Sequence, residues 1–128
     1  MNSLLRILVA ASIAVLVLDI FGSLASKAFG FAYSSLAWGS LIIYAAAGFF
    51  AARSGGLRTA AQGGGAVAFV DATLGWAISW ALGPGRPAAG YTGVGPILGT
   101  IALAWLTGIV SGFVGNLTAW AARGRPAA

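Results

Sequence analysis

Apolar residues fill four stretches of the chain, and polar or turn-forming residues separate them. The stretches run from about Leu4 to Phe29, Tyr33 to Ala52, Thr59 to Leu82 and Ile97 to Ala122. Each is long enough for an α-helix to cross a bilayer, which takes about 20 apolar residues. Arg53-Ser54-Gly55-Gly56 and Arg58 mark a turn between the second and third. Gly83-Pro84-Gly85-Arg86-Pro87 stops the third, and the longest loop follows, through Gly90, Tyr91, Gly93, Gly95 and Pro96. Arg123-Gly124-Arg125-Pro126 closes the fourth. Gly63-Gly64-Gly65 would weaken a soluble helix but is tolerated in a membrane span. The first stretch also has the outline of a signal peptide, with Arg6 ahead of an apolar core and Ser26-Lys27-Ala28 resembling a cleavage site. Asp19 inside that core opposes this, and a retained helix is expected. The pattern predicts an all-α integral membrane protein, one domain over 1–128 with four transmembrane helices.

Composition supports this class and removes others. The chain has 128 residues, 59% hydrophobic and 7% charged, with a mean hydropathy of +0.93. Soluble domains carry about 25% charged residues, so this chain cannot cover a water-facing surface. It has no His, no Cys and one Met. Zinc, haem and iron–sulfur sites therefore lack their usual ligands, and the Cys–His and Ser–His–Asp nucleophile sets cannot be built. No metal, cofactor or enzymatic activity is expected. The net charge of +5 comes from residues at the ends of apolar stretches, a topology signal and not a nucleic-acid patch. Arg6, Arg53, Arg58, Arg123 and Arg125 fall on one side of a four-span chain, and Lys27 and Arg86 on the other. The positive-inside rule then places both termini in the cytoplasm. Abundant Ala, Gly and Arg suggest a bacterial source, and the expected location is a plasma or inner cell membrane, crossed several times. Tyr33, Trp38, Trp76, Trp80, Tyr91 and Trp120 lie toward segment ends, as interfacial belts do.

The two halves resemble each other. Arg6 precedes Asp19 by the same thirteen residues that separate Arg58 from Asp71. With one residue inserted, Gly22, Ser26, Ala28 and Gly30 match Gly75, Ser79, Ala81 and Gly83. Ala51-Ala52-Arg53 is echoed by Ala121-Ala122-Arg123. A tandem repeat of two helical hairpins, 1–58 and 59–128, is the reading of this pattern.

The two carboxyls are the candidate chemistry. Thirteen helical residues rise about 20 Å, which puts Asp71, and Asp19 at similar depth, near mid-bilayer. A carboxyl there costs about 2.5–3.5 kcal/mol on insertion scales and is expected to face the bundle interior. Gly64, Ala68, Asp71, Gly75 and Ser79 form a small, polar stripe, as do Ser12, Asp19, Gly22 and Ser26. The functional reading is a proton or cation relay, or a substrate contact. The structural reading is a protonated Asp bonded across helices, with Ser12, Ser40, Tyr44, Ser79, Thr107, Ser111 and Asn116 as candidate partners. Lys27 is placed to reach back toward Asp19 and form an ion pair.

Gly108-x-x-x-Gly112, extended by Gly115, and Gly95-x-x-x-Gly99 match the close-packing motif of membrane helices. They serve contacts within one chain or between subunits. Asn116 with Thr118 fits a glycosylation pattern but lies inside a span, where it is a polar group and not an acceptor site. Two functions follow as expectations. The first is helix association, as a homo-oligomer or an accessory subunit of a membrane complex. The second is a small proton-coupled transporter or channel using Asp71 and Asp19. The bilayer is the expected partner in either case, and nucleic acid in neither.

Overall fold

The computed structural model describes residues 2–91 and 93–124, and all regular structure in them is helical. Helix α1 spans Ser3–Phe29. Asn2 caps it by accepting from the Leu5 N–H at 2.8 Å. Gly30 ends it in the left-handed region that glycine adopts without strain, with φ 74°. A short 3₁₀ turn, Tyr33–Leu36, leads into α2, Ala37–Val70. One wide π-type turn, Asp71–Gly75, joins α2 to α3, Trp76–Leu82. Helix α4 is Val94–Arg123. Pro96 lies in its first turn, where no N–H is needed.

Helix α2 is interrupted at Gly56, whose φ of 74° and ψ of −153° are not helical. In a straight helix residues 47 and 63 would be about 24 Å apart. Instead a Cβ on Gly63 would lie 2.9 Å from the Ala51 methyl and 3.2 Å from the Ala47 carbonyl oxygen. Ala52 and Ala60 likewise share a cluster with Ala119. The chain therefore doubles back at a single glycine, giving a first arm (37–55) and a second arm (57–70) that continues through the π turn into α3. The break is tighter than the sequence pattern suggests. Helix extends to Gly56 from both sides and includes Arg53 and Arg58.

Three long apolar helical stretches could cross a membrane: Ser3–Phe29, the 50-residue run Tyr33–Leu82 that folds back on itself, and Val94–Arg123. Their outward faces carry large apolar groups, with Trp38, Ile42 and Trp120 each at least 70% exposed. Such faces suit lipid and not water. Helix α1 runs against the first arm, with Leu18 on Gly39 and Val15 beside Tyr44. Helix α4 packs chiefly on α2. Among the described residues no Cα of α1 comes within 8 Å of a Cα of α4.

Glycine makes the central junction. A Cβ on Gly64 would lie 2.9 Å from Gly112 Cα, and Gly48 faces the same Gly112 backbone. Gly108 meets Gly64 and Ala68, and Gly115 meets the Ala45 carbonyl and Phe49 N. The Gly108/Gly112/Gly115 motif is thus occupied inside the chain. Gly95 and Gly99 face open space.

The charged residues sort by end. Arg123 donates from Nη2 to the Ala52 carbonyl at 3.2 Å, beside the Gly56 turn with Arg53 and Arg58. The first turns of α1, with Arg6, lie toward that end, since Leu8 packs on the Val15–Ala47–Val67 cluster. Lys27 and Arg86 lie at the other end. Arg125 and Pro126 are outside the described residues.

Candidate functional site: a carboxyl pair beside a cavity

Helix α1 buries Val15, Asp19, Gly22, Ser23 and Ser26 along one face, a spacing that follows the helical period. Asp19 is only 2% exposed. Its Oδ1 accepts from the Tyr33 hydroxyl at 3.0 Å. The same Tyr33 oxygen is 2.6 Å from Ser79 Oγ, and Ser23 Oγ donates to Ser79 Oγ at 3.0 Å. With Tyr33 donating to Asp19, the Ser79 proton is free to go to Tyr33. The hydroxyls then form one directed chain, Ser23 to Ser79 to Tyr33 to Asp19, in which each bond strengthens the next. Asp71, half-buried, accepts from the Tyr44 hydroxyl at Oδ2.

The two carboxyls converge on Gly75. A Cβ there would overlap Asp19 Oδ2 and lie 2.8 Å from Asp71 Oδ1. Only a hydrogen-bearing Cα leaves room for both. Asp19 Oδ2 is buried and has no hydrogen-bond partner among the described residues. The π turn that carries Asp71 and Gly75 holds an extra residue in the helix. Thr73 Oγ1 donates to the Phe69 carbonyl at 2.6 Å, partnering a backbone oxygen in the turn just before it.

A cavity of about 400 Å³ lies beside the pair. Its floor is Asp19, Ser40, Tyr44, Asp71 and Ala72, buried or half-buried. Exposed Ser34, Ala37, Thr100 and Leu103 form the rim, between the start of α2 and the N-terminal half of α4. Trp76 forms a side wall, and its Nε1 donates to the Gly85 carbonyl at 2.8 Å, which ties the loop after α3 to the site.

Of the residues expected from sequence, the structure brings together Asp19, Asp71, Gly75, Ser79 and Tyr44. Lys27 is exposed, and Tyr33 takes the place at Asp19 that an ion pair would have used. Thr107 lines the cavity but donates to the Leu103 carbonyl of its own helix at 2.8 Å. Asn116 sits next to Gly115, nine residues beyond Thr107, or about 13 Å along the axis, and is no part of the site. Gly112 and Gly115 pack helices away from the carboxyls, whereas Gly108 meets Ala68, one turn before Asp71. Tyr33, Trp76 and Ser23 were not expected. The first two resemble interfacial belt residues, and only the shortness of the Gly30–Ala32 link points Tyr33 back at α1. No family model, curated protein or solved structure matches the chain.

Proposed function

We propose that this is a four-span protein of a cell membrane, with both termini on the cytoplasmic side, that couples transport to protonation of the Asp19–Asp71 pair. The observation that carries the reading is the meeting of two carboxyls over Gly75 at the floor of a cavity. Both carboxyls approach one Cβ position on Gly75, and two carboxylates about 4 Å apart repel by about 4 kcal/mol even at an effective dielectric of about 20, so one proton held between them relieves the repulsion. That proton supplies the donor that Asp19 Oδ2 otherwise lacks. A site that must hold one positive charge and can exchange it with a cavity is the working part of a coupled carrier. The doubling of the chain at Gly56 and the gathering of Arg6, Arg53, Arg58 and Arg123 at one end support four spans with that end inside. The hairpin repeat gains support from the π turn. The one residue that the second half has in excess, between Asp71 and Gly75, falls in the turn that accommodates an extra residue.

The test is proton movement in liposomes that contain a trapped pH-sensitive dye, with the membrane potential clamped. Wild-type protein should dissipate an imposed pH gradient, alone or on addition of Na⁺, K⁺ or benzyltrimethylammonium. Asp71→Asn should abolish this while the helical content stays intact. Wild-type vesicles no faster than empty ones, or a fully active Asp71→Asn, would overturn the proposal. Association through Gly95 and Gly99 is a second reading, favoured by the open space they face. Cross-linking that Gly99→Leu abolishes would support it.

A further inference from the structure

The cavity has a composition that the proton alone does not require. Its walls are apolar and aromatic, with Leu36, Leu41, Ala104 and Trp76 among them, and its acidic groups lie together at the floor. We propose that it binds a small organic ammonium ion, with the charged nitrogen at the Asp71–Asp19 pair and an apolar body against Tyr44, Trp76 and α4. This rests on the carboxyl-pair reading above and names the class of cation that the pair takes.

Three observations lead there. First, Asp19 Oδ2 is a fully buried acceptor without a donor among the described residues, and the nearest basic side chain in the sequence, Lys27, is exposed. The site holds negative charge and supplies no cation of its own. Second, the volume of about 400 Å³ is far more than a bare metal ion or a proton needs, and falls in the range of small-molecule pockets, about 300–1,000 Å³. Third, aromatic faces attract a cation, while the apolar walls fit a hydrocarbon body. The rim at Ser34, Ala37, Thr100 and Leu103 lies on the flank of the bundle, and Leu103 is 67% exposed. An amphipathic amine dissolved in the bilayer can enter there.

Binding and protonation exclude each other. The titratable groups at the pair are Tyr33, ahead of the first arm, and Tyr44 within it. Helix α4 contributes the hydroxyls of Thr100 and Thr107 and no charge. When the ammonium arrives, its N–H groups replace the shared proton as the donor between Asp71 and Asp19. The carboxyl O–H bond breaks with its electron pair left on the carboxylate, the proton passes to water and buffer, and no other covalent bond changes.

The experiment is calorimetric titration of detergent-solubilised wild-type protein with phenethylammonium chloride at pH 8, in two buffers of different ionisation enthalpy. Saturable binding of one ion per chain is expected, with release of up to one proton and at least tenfold weaker binding to Asp19→Asn. Neutral 2-phenylethanol should not bind. Leu103→Trp, at the exposed rim, should also block binding, so the proposal stays testable if Asp19→Asn does not fold. Absence of saturable binding to folded wild type would overturn it. So would equal binding of 2-phenylethanol, the mark of a slot for acyl chains. No pH gradient is involved, so proton flux without amine binding removes this inference alone. Binding without flux removes the transport reading alone.

Discussion

Asp19 and Asp71 lie fifty-two residues apart in sequence, and their carboxyl oxygens meet over the bare Cα of Gly75. The relationship depends on the absence of one methyl group. Gly75→Ala should therefore push Asp19 away from Asp71. We expect a loss of about 1–3 kcal/mol in folding stability, the usual penalty for overpacking, and loss of proton flux. Thermal melting in detergent and the vesicle assay read the two effects. Unchanged flux in Gly75→Ala would show that the pair need not be in contact.

The two tyrosines should not be equivalent. Tyr33→Phe removes the only hydroxyl bonded to buried Asp19 among the described residues and leaves Ser79, which still accepts from Ser23, without the acceptor for its own proton. Tyr44→Phe deprives an Asp71 that the cavity can still hydrate. The first should cost about 1–3 kcal/mol, the penalty of an unsatisfied buried group, and the second less. Paired denaturation curves at neutral pH decide between them, and a larger loss for Tyr44→Phe would contradict the assignment.

At the glycine junction the expected readout is folding and not assembly. Gly48→Ala sets a methyl against the Gly112 backbone, where no flexible side chain can yield. It should lower stability by about 1–3 kcal/mol. Gly112→Leu should prevent the monomer from folding. A stable, correctly folded Gly112→Leu that merely loses an oligomer would mean that the motif works between chains.

The π turn predicts an unusual tolerance. Deleting Thr73 reduces the Asp71-to-Gly75 spacing to that of Asp19 and Gly22 and lets the turn close as an α-helix. Helical content and melting temperature should be kept or raised. Deleting Phe69 in the regular helix just before it turns all that follows by about 100° and should unfold the protein. Circular dichroism of the two deletions makes the comparison. Equal damage from both would argue against an inserted residue.

Much of this was legible in the sequence, and the reasons differ by feature. Helix positions followed from apolar runs because a bilayer imposes their length. The carboxyls stood out because charge is so scarce. The stripe Gly64, Ala68, Asp71, Gly75 and Ser79 was visible, but it does not face one neighbour. Gly64 and Ala68 meet α4, whereas Gly75 and Ser79 meet α1. A one-dimensional period cannot show which of two flanking helices a face will meet. Tyr33 reads as a belt residue from sequence because its role at Asp19 depends on a three-residue link folding back, and the Lys27–Asp19 pairing does not form because reach along a helix says nothing of a nearer competitor.

The glycine junction also sets how this molecule can move. Gly48, Gly64, Gly108 and Gly112 bring backbones together without interlocking side chains, between the carboxyl pair and the arginine-rich end. A knobs-and-holes seam must unlock before its helices shift. Two smooth faces held by dispersion and weak Cα–H contacts can slide past one another with no rotamer change. On the transport reading proposed above, the surface that seals one half of the bundle would also be its shear plane, and motion there would open a path from the cavity to the arginine-rich end.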